Sequence, residues 1–155
     1  MSSIGPKVLS IHDVPPNTRR GGDIRTLLSP ATVGSTSGFL GTLTLRPGEV
    51  VTEHWHPYSE EFLYCVTGNI TARLDGQDTA LPAEHGLLIP LGMRHRLVNT
   101  GDETAFLVFH LSPLAPRPDL GHVDTEPLPL PLPTPLPAPA GVGGSGSCDP
   151  RKAPA

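Results

Sequence analysis

Through residue 111, apolar and polar positions alternate over short stretches, and no helical period is sustained for ten residues anywhere. Runs with a period of two, broken by Gly, Pro, Asn and Asp, read as the strands of an all-β sandwich or barrel. The pattern predicts strands over 7–12, 24–28, 38–46, 50–56, 61–67, 70–75, 78–81, 86–90, 94–99 and 104–111. Three connections are legible: Arg46-Pro47-Gly48, Thr67-Gly68-Asn69 and Asp75-Gly76-Gln77, the last two as tight hairpins. Strands joined so closely are expected to pair as antiparallel neighbours.

After Leu111 the alternation stops. Twelve of the 20 prolines follow it, and residues 127–140 read PLPLPLPTPLPAPA. A proline at every second position removes backbone donors and fixes φ, so this stretch is expected to join neither sheet nor helix. The expected organisation is N-terminal strands over 1–37, a barrel over 38–111, an extension over 112–126 and a disordered Pro/Gly-rich tail over 127–155. Twenty prolines along the chain contribute to an apolar fraction of only 37%.

Side chains at i and i+2 of a strand share a face. In 50–56 this puts Val50, Thr52, His54 and His56 on one side and Val51, Glu53 and Trp55 on the other. The two imidazoles stand about 7 Å apart along the strand, close enough to converge on one ion. In the next strand Glu61, Leu63, Cys65 and Thr67 share the inner face, with Glu60 outside or at the rim. His95, Leu97 and Asn99 share a face after the Pro90-x-Gly92 turn. In the last strand Phe106, Val108 and His110 alternate with Leu107, Phe109 and Leu111. Taken singly, each histidine is an ordinary hydrogen-bonded residue, and Glu60-Glu61 is surface charge. The combination of His-x-His on one face, a carboxylate five residues on and a His after a Pro-x-Gly turn is what points to a metal. His12, His85 and His122 have no supporting pattern and read as surface or structural.

Charge narrows the partners. A formal charge of −4 with no basic run argues against nucleic acid. No stretch approaches the roughly 20 apolar residues of a membrane span, and the N-terminus lacks the apolar core of a signal peptide. Cys65 and Cys148 do not suggest a disulfide framework. A cytoplasmic protein is the expectation.

The motif resembles the first signature of the cupin superfamily at every spacing: Gly48, His54, His56, Glu61 and Gly68. Pro90, Gly92, His95 and Asn99 match the second, with Glu84 where that signature carries its leading Gly. The phrases HPYSEEFLY, RHRLVNTGDE, FLVFHL and GHVDTE are similar to the small cupins of aromatic (type II) polyketide gene clusters, such as those for tetracenomycin, resistomycin, curamycin and spore pigment. The resemblance implies a double-stranded β-helix (jelly-roll barrel). It implies His54, His56, Glu61 and His95 as ligands of one divalent ion: Zn, Fe, Ni or Mn, with zinc favoured. His110 is either the catalytic base or a fourth ligand that moves Glu61 outward.

The activity implied is intramolecular aldol cyclisation of a poly-β-ketone, free or bound to acyl carrier protein, with Val50, Leu63, Phe106 and Val108 as the wall that holds it folded. The base is either water activated at the ion or His110. The alternatives are an oxygenase acting through a redox metal, and a non-catalytic accessory protein of the synthase. Outward Trp55, Phe62, Tyr64 and Val66 call for cover, and a homodimer is expected.

Overall fold

The computed structural model describes residues 7–129. The predicted tail from 130 onward lies outside the described residues. Ten strands form two five-stranded antiparallel sheets packed face to face. The first sheet runs in the order β1 (Asp23–Leu28), β2 (Phe39–Leu45), β9 (Ala105–Ser112), β4 (Glu60–Thr67), β7 (His85–Ile89). The second runs β10 (Val123–Asp124), β3 (Val50–Trp55), β8 (His95–Asn99), β5 (Asn69–Leu74), β6 (Gln77–Pro82). This is the predicted all-β jelly roll. Among the described residues no helix is long and apolar enough to cross a membrane.

The predicted strands fall close to their observed bounds, except 7–12. There, Ser10 caps a short 3-10 turn over Ile11–Asp13 by accepting from the His12 amide, and Asp13 accepts from the Ser10 amide. One helical turn, α1 (Pro30–Val33), was not foreseen. Ser29 and Thr32 form a reciprocal cap, Pro30 opens the turn and Gly34 closes it in the left-handed region at φ 71°.

Two of the three predicted connections behave differently from expectation. Asp75-Gly76 joins the paired neighbours β5 and β6, both residues having positive φ as a two-residue hairpin requires. Arg46-Pro47-Gly48 and Thr67-Gly68-Asn69 instead carry the chain from one sheet to the other. So β3 and β4 do not pair: β3 lies beside β8, and β4 between β9 and β7. Gly68 permits its crossing because it has φ 88° and a Cβ there would stand 2.6 Å from the Ala105 Cα.

Two faces also differ. In β3, Val51 opposes Leu97 and His54 opposes His95, so three steps on one strand match two on the other. This bulge turns Val51 inward along with His54, in place of the predicted Val50. In β9 the buried face is Ala105, Leu107, Phe109 and Leu111, so the predicted wall residues Phe106 and Val108 face outward. Both faces of β9 are apolar, and alternation alone does not choose between them. Gly41 of β2 makes the choice, because its missing side chain leaves room for the Phe109 ring.

Leu45, Ile70, Ala72, Ala105 and Leu107, all fully buried, pack one end of the sandwich. Asn99 locks that end: its Nδ2 donates to the carbonyls of Leu45 and Glu103, and its Oδ1 accepts from the Gly101 amide. Leu107→Ala should cost about 2–5 kcal/mol, and Val108→Ala on the outer face roughly 1 kcal/mol or less. Denaturant unfolding of the two variants checks which face is core.

Candidate metal centre and its cavity

At the other end of the sandwich the strands present polar side chains inward. His54 and His56 come from the end of β3 and the residue after it, Glu61 from the start of β4, His95 from the start of β8. All four are buried, and one potential donor atom of each lies within 4.8 Å of the others. The sequence-predicted set is therefore brought together.

The Nδ1 of each imidazole faces a backbone carbonyl. His54 bonds the Thr52 oxygen at 2.8 Å, His56 the Gly121 oxygen at 2.9 Å and His95 the Met93 oxygen at 3.0 Å. A carbonyl only accepts, so each Nδ1 carries the proton and each neutral ring keeps its lone pair on Nε2. Glu61 Oε2 lies 3.1 Å from His56 Nε2 and 3.0 Å from His95 Nε2. That buried His95 nitrogen has no hydrogen-bond partner among the described residues, although the carboxylate oxygen stands close to it.

Protein groups alone satisfy this arrangement poorly. His56 and His95 each meet an acceptor on both ring nitrogens, so a neutral ring would aim its lone pair at a carboxylate. A cation at the centre would accept electron density from all four groups. The donor set thus fits a single metal ion.

The titration behaviour agrees. Burial, then the neighbouring His95, lowers the His54 pKa from 6.5 to about 3. Burial would raise the pKa of Glu61, but His56 and His95 outweigh it and hold the carboxyl well below its usual range. Burial would lower the pKa of His95, but Glu61 outweighs it and raises the value.

His110 is not brought into the cluster. It lies on the outer face of β9, opposite Leu40 of β2 and Phe62 of β4, with its ring centroid 6.0 Å from that of Phe62. The parity that puts Phe109 and Leu111 inside puts His110 outside.

The histidine beside the cluster is His122, which sequence alternation read as surface or structural. Its ring centroid is 5.0 Å from that of His56 and 6.1 Å from that of His54. Burial, then His56 and Arg20, lowers its pKa from 6.5 to about 4. The segment carrying it crosses the barrel mouth. β10 pairs with β3 at Trp55 and His54, Arg20 Nε donates to Asp124 at 2.7 Å, and Arg96 Nε donates to Glu126 at 3.1 Å. The same segment supplies the Gly121 carbonyl to His56. No spacing rule ties residues 121–126 to β3; the only sequence signal was the phrase GHVDTE itself. His12 and His85 are exposed, as expected.

The cluster lines a cavity of about 130 Å³ together with Arg20, Val51, Leu97, Phe109 and His122.

Two antiparallel sheets enclosing a buried cluster of three histidines and a glutamate at one end define a cupin barrel, and the cupin domain family matches residues 41–111. The chain belongs to the cupin family and is similar to members named as polyketide synthase proteins. It is 58% identical over 126 residues to the polyketide synthase CurC of Streptomyces cyaneus, covering 81% of this chain and 82% of that one. It is 49% identical over 120 residues to the tetracenomycin polyketide synthase protein TcmJ of Streptomyces glaucescens, covering 77% and 80%. Among solved structures, the polyketide cyclase RemF from Streptomyces resistomycificus shares the fold. It aligns with TM-score 0.61 at 18% identity over 72% of this chain and 82% of that one.

The pKa shifts set the pH response of the metal-free protein. His54 and His122 bind protons more weakly folded than unfolded, so their contribution to stability is present above 6.5 and is lost as the pH falls toward 4 and 3. His95 acts in the opposite sense, and its contribution is lost as the pH rises through its raised folded value. Denaturant unfolding of chelator-treated protein should show stability declining from pH 6.5 to 4, with a shallower decline in His54→Gln. A flat profile over that window contradicts the assignment.

Proposed function

We propose that the protein is a metal-dependent cyclase that closes rings within a poly-β-ketone intermediate of aromatic polyketide biosynthesis. The observation that carries this reading is the convergence of three imidazoles and one carboxylate on a single buried point. Kinship at 49–58% identity with polyketide synthase proteins supports the substrate class.

His54, His56, His95 and Glu61 would hold one divalent ion, with zinc favoured. When bound, the ion would withdraw charge from a ketone oxygen and make the carbon beside it more acidic. The chain's own residues supply position. The three carbonyl-anchored Nδ1 atoms fix the ring planes, so the ligand set is formed before the ion arrives. Val51, Leu97 and Phe109 exclude water from the cavity floor. His122 offers a neutral ring at the cavity edge; with its N–H turned to the Pro118 carbonyl, the other nitrogen can accept from an enol O–H and hold one reacting carbon against another. A proton leaves the carbon between two carbonyls for water, that carbon bonds to a second carbonyl carbon of the same chain whose oxygen takes a proton in turn, and loss of water then yields the aromatic ring. Much of the acceleration in such a site comes from orientation.

The reading includes a cytoplasmic protein whose substrate is a small polyketide, free or on an acyl carrier protein. It also includes a homodimer, supported by exposed Phe62, Tyr64, Val66 and Leu88 on the outer face of the first sheet.

His54→Ala, His56→Ala and His95→Ala should each lower metal content and cyclised product together, measured by elemental analysis and product chromatography. Turnover should persist without O₂. Iron in the purified protein with O₂ uptake would favour an oxygenase instead, and normal product from a metal-free triple variant would exclude the cyclase mechanism.

His122→Ala should keep the metal and lose roughly tenfold or more in turnover, on the scale of positioned polar groups. Equal metal loss in that variant would make His122 a ligand.

A further inference from the structure

We infer that a second cavity, outside the barrel, is the chamber that holds the body of the ligand, and that it selects neutral, multi-ring or folded multi-carbonyl compounds. This rests on the reading that the imidazole end takes a ketone unit.

The cavity around the imidazoles, at about 130 Å³, falls below the roughly 300–1,000 Å³ of small-molecule sites. It has room for one or two carbonyl units and no more. Any longer ligand bound there must leave the barrel. The exit is defined: Asn17, Thr26, Phe39, Leu111 and His122 line both this cavity and a neighbouring one of about 660 Å³. That larger cavity has the volume of an ordinary ligand site. Its walls come from three segments outside the strands that carry the candidate ligands: residues 14–17, the α1 turn with its flanks, and residues 114–122.

Its chemistry is distinctive. Among the described residues lining it, the one titratable side chain is His122, at the throat. Pro15, Pro30, Pro116, Pro118, Leu114 and Ala115 give broad, rigid apolar surface. Apart from Thr26 at the throat, the hydroxyls present are already engaged. Ser35 donates to the Gly38 carbonyl, Ser59 donates to the Pro113 carbonyl, and Ser29 and Thr32 cap α1 together. Nothing there would balance an anionic or cationic ligand, and burying an unpaired charge is costly. A flat or folded neutral compound loses apolar surface to the walls and keeps its reacting ketone at the throat.

Calorimetric titration of the zinc-loaded full-length chain with two probes tests this. Acetylacetone, a single 1,3-diketone, fits the inner cavity alone. 1,8-Dihydroxyanthraquinone, a rigid three-ring ketone, needs the chamber. Ala115→Phe and Ala31→Phe would each plug the chamber away from the imidazoles. Both variants should weaken anthraquinone binding at least tenfold and change acetylacetone binding less than twofold. No anthraquinone binding by the wild type, or equal binding by both plugged variants, would overturn the inference. So would tighter binding of anthraquinone-2-sulfonate than of the neutral compound. If acetylacetone fails to bind while the plug effect holds, the chamber stands and the ketone reading of the imidazole end falls.

Discussion

Three hydrogen bonds from imidazole Nδ1 to backbone carbonyls govern what this molecule can do. Each fixes a tautomer as well as a ring plane. A histidine without such a bond presents either nitrogen and turns freely. With it, the Nε2 lone pair has one direction, and the strands bring three such directions together around Glu61. Two of the carbonyls belong to residues two positions before their histidines, so the local backbone of β3 and the Met93 turn prepares its own ligand. The third, from Gly121, lies 65 residues away from His56.

The sheet architecture sets the distances. His54 and His95 face each other across the β3–β8 ladder, and Glu61 approaches from the opposite sheet. A cluster assembled across two layers needs the layers held at fixed separation. The packed core at one end and the Asn99 hydrogen bonds supply that restraint. The bulge in β3 matters for the same reason: without the extra residue, Val51 and His54 would lie on opposite faces, and core and site would compete for one strand.

Much of this was legible in the sequence, for physical reasons. The faces of the strands that carry the His-x-His pair, Glu61 and His95 are mixed, so it was the spacing of the four residues and the i, i+2 parity of His54 and His56 that placed them together, while the bulge in β3 escaped the same rule. β9 defeats that logic because Phe106, Val108, Leu107 and Phe109 are apolar on both sides, so His110 could be assigned to either face. Its true side depends on Gly41 in another strand, which no local pattern reports. Turns were recognised as turns, yet a short connection does not say whether the chain folds back within a sheet or crosses between two. The position of His122 was hidden because pairing of a two-residue strand with β3 leaves no periodic trace.

The segment over the barrel mouth also bears on how the chain reaches its native state. Arg20 meets Asp124 across 104 positions of sequence, and β10 covers an edge of β3 that would otherwise present unpaired amides and carbonyls to other chains. Contacts so distant in sequence close long loops at a cost in chain entropy. Until residues 121–126 are in place, that edge stays open. Without that segment the barrel has an uncovered edge and a His56 ring that lacks its Gly121 partner, so one closing contact covers the first as it anchors the second.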